Sequence, residues 1–322
     1  MSATVQYLTK LSGYAPALPT PFTDDDRVDG PAFERLCELQ IAHGARALVV
    51  AATTGEAPTL EPAEHRELLR IAVSIARGRV PVIAGAGSNS TAHAIELSKD
   101  AEANGADGIL SVVPYYNKPS QEGLYAHFSA IASATQLPVI LYDVPSRTGR
   151  GIADETVARL AELPNVVGLK DATADAGRPS RLRPLVGEHF RLLSGDDAMA
   201  FGFIAQGGDG CISVASNVAP GLCRNIYLAW KQGQVTRARR LAAPLALLAA
   251  ALSRETNPAP LKYALSLFGL MSPRIRLPLV EPSEQTQVEV AGIVARLCDE
   301  YTGSTIGNIA KPDRIRRLAL AG

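Results

Sequence analysis

The sequence predicts a (β/α)8 barrel of the α/β class with a C-terminal helical appendage, and three observations carry that expectation. Short β-type runs recur at intervals of roughly thirty residues, eight in all. Most are continuously apolar rather than alternating, the pattern of strands covered on both faces of a parallel sheet. The segments between them are amphipathic and rich in Ala, Leu, Glu and Arg. Eight strand–helix units in one chain close into a barrel. A doubly wound sheet would want a glycine-rich phosphate loop after its first strand, and Pro19-Thr20-Pro21-Phe22 is not one.

In chain order, Ala15–Leu18 is the first strand. Asp29 ahead of Pro31 starts a helix over Pro31–His43, which Gly44 stops. Ala47–Ala52 is followed by a helix at Glu61–Arg77, and Val80–Ala84 by one at Thr91–Asn104, capped by Ser90-Thr91. Gly78 and Gly105 stop those two helices. Gly108–Val113, Val139–Tyr142, Val166–Lys170, Phe190–Ser194 and Gly210–Val214 complete the strands, with helices at Gln121–Thr135 and Asp154–Leu163. Four more helices follow, at Val218–Gly233, Val235–Arg254, Pro258–Leu270 and Gln285–Tyr301; the first of them completes the barrel. Residues 13–232 thus form the barrel and 233–301 a C-terminal helical region. Residues 302–322 form a polar, basic tail expected to be loosely held.

Composition narrows the function. With 47% apolar residues among 322, the chain can bury one large core. Lys+Arg and Asp+Glu are 32 each, so no excess of positive charge invites nucleic acid or an anionic membrane. The longest apolar stretches, such as Ala47–Ala52 and Leu241–Leu252, are too short to span a bilayer. Met1 to Lys10 lacks the pattern of a secretory signal, and the cytoplasm is the expected location. Cys37, Cys211, Cys223 and Cys298 form no CxxC pair and have no suitably spaced His, so neither zinc nor a disulfide framework is expected. The five histidines are scattered as well, which disfavours a metal-dependent aldolase.

In such a barrel, chemistry sits where the strands end. Seven lysines occur in the chain, and Lys170 alone ends an apolar strand. Loss of hydration in a barrel mouth disfavours an ammonium and leaves an amine able to attack a carbonyl. The competing reading pairs Lys170 structurally with Asp171 or Glu56. Lys262 is the one rival nucleophile, on a helix outside the barrel period. Imine chemistry also needs proton transfer. Tyr116, Tyr142 and Thr53, at neighbouring strand ends, could relay protons without adding charge; alone, either tyrosine could equally be a packing residue. Arg147 offers a planar fork to a carboxylate, or a surface ion pair. Thr54 and the exposed backbone of Gly55 could hold a second carboxylate.

Six motifs in order then resemble the dihydrodipicolinate synthase / N-acetylneuraminate lyase family, over about Gly13 to Leu297. They are Thr53-Thr54-Gly55-Glu56, Pro114 to Gly123 (PYYNKPSQEG), Tyr142 to Gly149 (YDVPSRTG), Gly168 to Thr173 (GLKDAT), Ser194 to Asp197 (SGDD) and Asn257-Pro258. The resemblance implies condensation of pyruvate with L-aspartate 4-semialdehyde, with no cofactor and no metal. It implies Lys170 as the imine-forming lysine and Tyr142 as proton donor and acceptor, within a relay with Thr53 and Tyr116. Tyr116 would reach into a neighbouring subunit, in a homotetramer built from tight dimers. Thr54 would hold the pyruvate carboxylate, Gly195 and Ile212 would line the pocket through their backbones, and Arg147 would hold the second carboxylate.

Arg147 favours the dihydrodipicolinate synthase branch over sugar-acid aldolases, because an arginine there suits a short substrate ending in carboxylate. The alternatives are a related aldolase or dehydratase acting on a sugar acid or hydroxylated 2-oxo acid, and a non-catalytic barrel that binds a small acid. Position 143 is Asp where many members have Asn; it is expected to point away from the catalytic tyrosine and to matter little. Members inhibited by lysine bind it at positions matching Pro58, Pro62, His65, Asn89, His93 and Tyr115. Asn89 and Tyr115 fit that pattern, but His93 stands where those members carry a carboxylate and Pro62 offers no polar group, so weak or absent inhibition is expected.

Overall fold

A computed structural model describes residues 8–300. Its eight strands run parallel in the order β1-β8-β7-β6-β5-β4-β3-β2. They are β1 (Gly13–Pro16), β2 (Leu48–Val50), β3 (Val82–Gly85), β4 (Gly108–Val112), β5 (Val139–Asp143), β6 (Val166–Asp171), β7 (Arg191–Ser194) and β8 (Gly210–Ser213). β1 and β2 meet through the Ala17–Val49 bridge, where the Leu18 amide donates to the Val49 carbonyl at 2.9 Å. That contact closes the sheet into a (β/α)8 barrel.

The helices after successive strands are α1 (Gly30–Ala42), α2 (Pro62–Ala76), α3 (Thr91–Ala103), α4 (Gln121–Ala134), α5 (Asp154–Ala161), α6 (Arg178–Val186), α7 (Ala200–Ala205) and α8 (Pro220–Lys231). Their starts follow local chemistry. The Asp29 side chain accepts from the Ala32 amide, Ser90 from His93 and Ser120 from Gly123, while Glu61 and Glu64 form a reciprocal capping box on α2. At the far end of α1, Gly44 adopts φ +90°, which an L side chain rarely tolerates. Helices α6 and α7 have no strong apolar period in the sequence. The first buries Leu182 and packs Val186 on the outer core, and arginine bonds tie it to the loops around it.

Two apolar layers sit on the barrel wall. Inside it, Leu8, Leu11, Ala15, Val49, Ile83, Leu110, Ile140, Val167, Leu193 and Ile212 pack together. Leu8 reaches the start of β4 at Gly108 and plugs the end of the barrel opposite the mouth. Outside it, the strands pack against the surrounding helices. The last helices, α9 (Val235–Leu252), α10 (Ala259–Leu267) and α11 (Glu284–Glu300), share one apolar cluster with α8, Tyr14 and Leu36. No helix among the described residues is long and apolar enough to cross a membrane. The tail expected over 302–322, and Tyr301, lie outside the described residues.

Candidate active site

The C-terminal strand ends surround a pocket of about 240 Å³. Thr53, Thr54, Tyr142, Arg147, Lys170 and Gly195 line it, together with Val144, Ala172, Asp196 and Asp197. Lys170 is 4% exposed, and its Nζ lies 4.2 Å from the centre of the Tyr142 ring. The two residues are direct partners in the β5–β6 register, so the sheet itself presents amine and phenol side by side. Gly195 leaves room for the lysine stem, since a Cβ there would lie 3.0 Å from Lys170 Cε.

Neither structural partner offered to Lys170 takes it. Glu56 is 2.6 Å from the Nζ of Lys262, and Asp171 faces Arg178. Among the described residues, no carboxylate stands within ion-pair distance of Lys170. Lys262 is 0% exposed, lies over the Phe22 ring at 4.3 Å and is absent from the pocket lining. Burial pulls its ammonium down to about 8 even beside Glu56. The second oxygen of Glu56 accepts from the Arg276 amide at 3.0 Å, so both ends of that carboxylate are engaged. Glu56 itself sits in the left-handed region at φ 57°. The rival nucleophile is therefore a buried fastening for the turn that carries Thr53 and Thr54.

The C-terminal region adds side chains whose part in the pocket the sequence did not show, Asn257 of the Asn257-Pro258 motif among them. Ala249, Leu252 and Ser253 form one wall of the pocket. Asn257 Nδ2 donates to Thr54 Oγ1 at 2.9 Å, and its carbonyl accepts from Arg147 Nη2 at 3.5 Å. Arg147 rides on a one-turn helix, Pro145–Thr148, and its guanidinium is otherwise open to the pocket rim. Asp197 is a further residue without an assigned role. It accepts from the Ser213 hydroxyl and from the amides of Val214 and Ala215 at 2.7 and 2.9 Å, which ties the Ser194–Asp197 loop to the end of β8. Burial pushes its carboxyl upward.

Two expected positions differ, Gly55 and Ile212. Gly55 is buried rather than exposed: its carbonyl accepts from the Thr20 hydroxyl at 2.6 Å, and a Cβ would meet Ala51 and Leu18 backbone at 3.0–3.2 Å. The glycine is there for close packing and does not line the pocket. Ile212 is 1% exposed in the inner barrel core; the pocket wall is made by Val214 and Ala215 further along the same chain segment. Tyr116 is 90% exposed and stands outside its own pocket. Its positive φ of 71° aims it away from the barrel, on a turn where Asn117 donates to the Asn89 carbonyl at 2.8 Å. Asp143 points away from the pocket as expected. Yet it is no bystander, because it is buried on Arg178 at 2.8 Å.

Residues 10–297 match the model of the dihydrodipicolinate synthetase family. The chain belongs to that family. The 4-hydroxy-tetrahydrodipicolinate synthase of Gluconobacter oxydans (strain 621H) is 51% identical over 85% of this chain and 93% of its own length. The 4-hydroxy-tetrahydrodipicolinate synthase structure from Methylacidiphilum fumariolicum SolV superposes with a TM-score of 0.88 at 41% identity, covering 96% of this chain and 99% of that one. The dihydrodipicolinate synthase of Acinetobacter baumannii, solved in complex with pyruvate, has a TM-score of 0.86 at 42% identity over 88% of this chain and 98% of that one. Five of the six motifs supply residues that line the pocket, Pro114 to Gly123 being the exception, and the barrel is the fold these relatives share.

Proposed function

We propose that this member of the dihydrodipicolinate synthetase family is a Schiff-base lyase acting through Lys170. It condenses pyruvate with L-aspartate 4-semialdehyde to 4-hydroxy-tetrahydrodipicolinate. The observation that carries the site assignment is the buried Lys170 amine beside the Tyr142 ring, at the floor of a pocket with Arg147 on its rim. Lys170 adds to the 2-oxo carbon of pyruvate, and loss of water gives the imine. Loss of a methyl proton from the imine gives an enamine, which attacks the aldehyde carbon of the second substrate; the amino group of that substrate then adds to the imine carbon and expels the Lys170 amine, closing the ring. Tyr142 and Thr53 carry the protons that these steps release and consume. Thr54, braced by Asn257, takes the pyruvate carboxylate, and Arg147 takes that of the semialdehyde. Measured turnover of aspartate semialdehyde, set against 2-oxo-3-deoxy sugar acids, tests the substrate. Preference for the sugar acids would sink this reading.

Arg147 is the residue to separate the two half-reactions. Its charge-assisted bonds to a carboxylate are worth about 1.5–3 kcal/mol, or roughly ten- to a hundred-fold in affinity. Arg147→Leu is therefore expected to raise KM for the semialdehyde by that factor while the pyruvate adduct still forms. An unchanged KM would remove Arg147 from the second-substrate site.

The outward Tyr116 supports assembly. A tyrosine held at 90% exposure on a turn braced by Asn89 suits insertion into a second copy's site, in a homotetramer of tight dimers. Work on two small soluble acids suits the cytoplasm.

Among the six candidate effector positions Asn89 and Tyr115 suit a lysine site, but His93 and Pro62 favour weak lysine control. His65 is buried, with Nε2 2.9 Å from the Gly85 carbonyl, and burial pulls its imidazole below the ordinary range. Pro58 and Pro62 are exposed and offer no side-chain polar group; Asn89 spends its carbonyl on Asn117. Tyr115 is 38% exposed, and the His93 ring meets Glu96 at 3.4 Å on the helix surface. An exposed pair of that kind adds about 0–1 kcal/mol and does not replace a carboxylate aimed at a ligand ammonium. Half-inhibition by lysine is expected only above about a millimolar. A lower value in a steady-state titration would refute this.

A further inference from the structure

Behind the reacting pair, on the helix side of the barrel wall, lies a buried ion cluster that the proposed chemistry does not use. Asp143 follows Tyr142 and Asp171 follows Lys170, and the two carboxylates are register partners one step beyond the tyrosine–lysine pair. Side chains alternate across a strand, so both carboxylates face outward where Tyr142 and Lys170 face the pocket. Arg178, the first residue of α6 and only 3% exposed, spans them. Its Nη1 donates to Asp143 Oδ2 at 2.8 Å and to Asp171 Oδ2 at 3.4 Å. Its Nε meets Asp154 at 2.8 Å, and its Nη2 donates to the Ile152 carbonyl at 2.5 Å. The Ile152 amide donates back to Asp143 Oδ2 at 3.1 Å, and Asp171 Oδ1 accepts from the amide and hydroxyl of Thr173.

We propose that Arg178 is a positioning residue for imine formation: by holding Asp143 and Asp171 on one guanidinium, it fixes β5 against β6. With the strands it fixes the offset between Lys170 and Tyr142. The backbone ladder pairs Tyr142 with Lys170 directly, but the β5–β6 register shifts between Val139 and Ile140, and the guanidinium adds a side-chain clamp to that pairing. The guanidinium acts at the other end of the pairing, where the shifted frame must deliver the two reacting side chains. The guanidinium meets Asp143 and Asp171 through Nη1, Asp154 through Nε and the Ile152 carbonyl through Nη2; an ammonium, with its three donors on one atom, cannot reach all four from a single point. The inference rests on reading Lys170 as the imine-forming residue.

The test follows pyruvate trapping by borohydride with intact mass, for the natural chain and for Arg178→Lys, Asp143→Ala and Asp143→Asn. Thermal melts and KM for pyruvate are recorded alongside. A displacement near 1 Å at the reacting atoms costs on the order of a hundredfold, so Arg178→Lys and Asp143→Ala should trap about 10- to 100-fold more slowly, with KM changed by less than about threefold. Asp143→Asn keeps an oxygen that can accept from Arg178, and its rate should stay within about threefold of the natural chain. Trapping at the natural rate in folded Arg178→Lys and Asp143→Ala overturns the proposal. Equal slowing in Asp143→Asn and Asp143→Ala overturns it too, since the cause would then be charge and not the bond. Should Arg178→Lys fail to fold, the two Asp143 variants decide alone. No adduct on the natural chain would instead refute the imine reading itself.

Discussion

Lys170→Ala is expected to abolish the adduct that borohydride traps with pyruvate and to lower kcat by on the order of 10⁴-fold or more. Both effects have one origin. Without the amine no covalent electron sink forms, and the methyl group of pyruvate stays too weakly acidic to lose a proton at neutral pH. The fold should survive, because Lys170 is in no ion pair among the described residues and its nearest recorded partner is the Tyr142 ring. Intact mass spectrometry before and after borohydride, with peptide mapping, reads the result. A pyruvate adduct persisting on Lys170→Ala would move the chemistry to another lysine, and a folded, fully active variant would end the covalent mechanism.

Lys262→Met is expected to cost about 3–5 kcal/mol of stability, the usual cost of removing one member of a buried ion pair. It leaves Glu56, 3% exposed, without the ammonium 2.6 Å away. Pairing it with Glu56→Leu should recover part of the loss, because two apolar groups replace two buried charges. The damage should also reach the site. Glu56 anchors the turn that presents Thr53 and Thr54 to the pocket, so surviving Lys262→Met enzyme should show a raised KM for pyruvate. Urea melts and steady-state kinetics check both. A single variant as stable as the natural chain would mean that solvent reaches the pair.

The lysine proposed to form the imine was legible because its signal is local. A lone lysine closing an apolar strand can be read from a handful of neighbouring residues, and barrel geometry then dictates that it stands at the mouth. Tyr142 and Arg147 were legible for the same reason, each lying at or just past the end of β5. The strand runs themselves stood out because a parallel strand is buried on both faces and so reads as continuous apolar residues. Helices α6 and α7 carry no such signal; the bonds that hold α6 are to Asp154, Phe190, Asp209 and other distant groups.

The amino-acid sequence by itself determined the barrel, its strand ends and the family's motif set, all of which depend on periodicity and on short-range order. Only the tertiary structure decided which lysine is free. Lys170 and Lys262 are both buried, and what separates them is a carboxylate 206 positions away in the chain. Tertiary structure also brought Asn257 onto Thr54 and Arg147, and it buried Gly55 and Ile212 behind the pocket wall. It set Arg178 across two neighbouring strands as well. Burial and ion pairing are properties of what surrounds a side chain, and those surroundings are assembled from segments that the sequence keeps far apart.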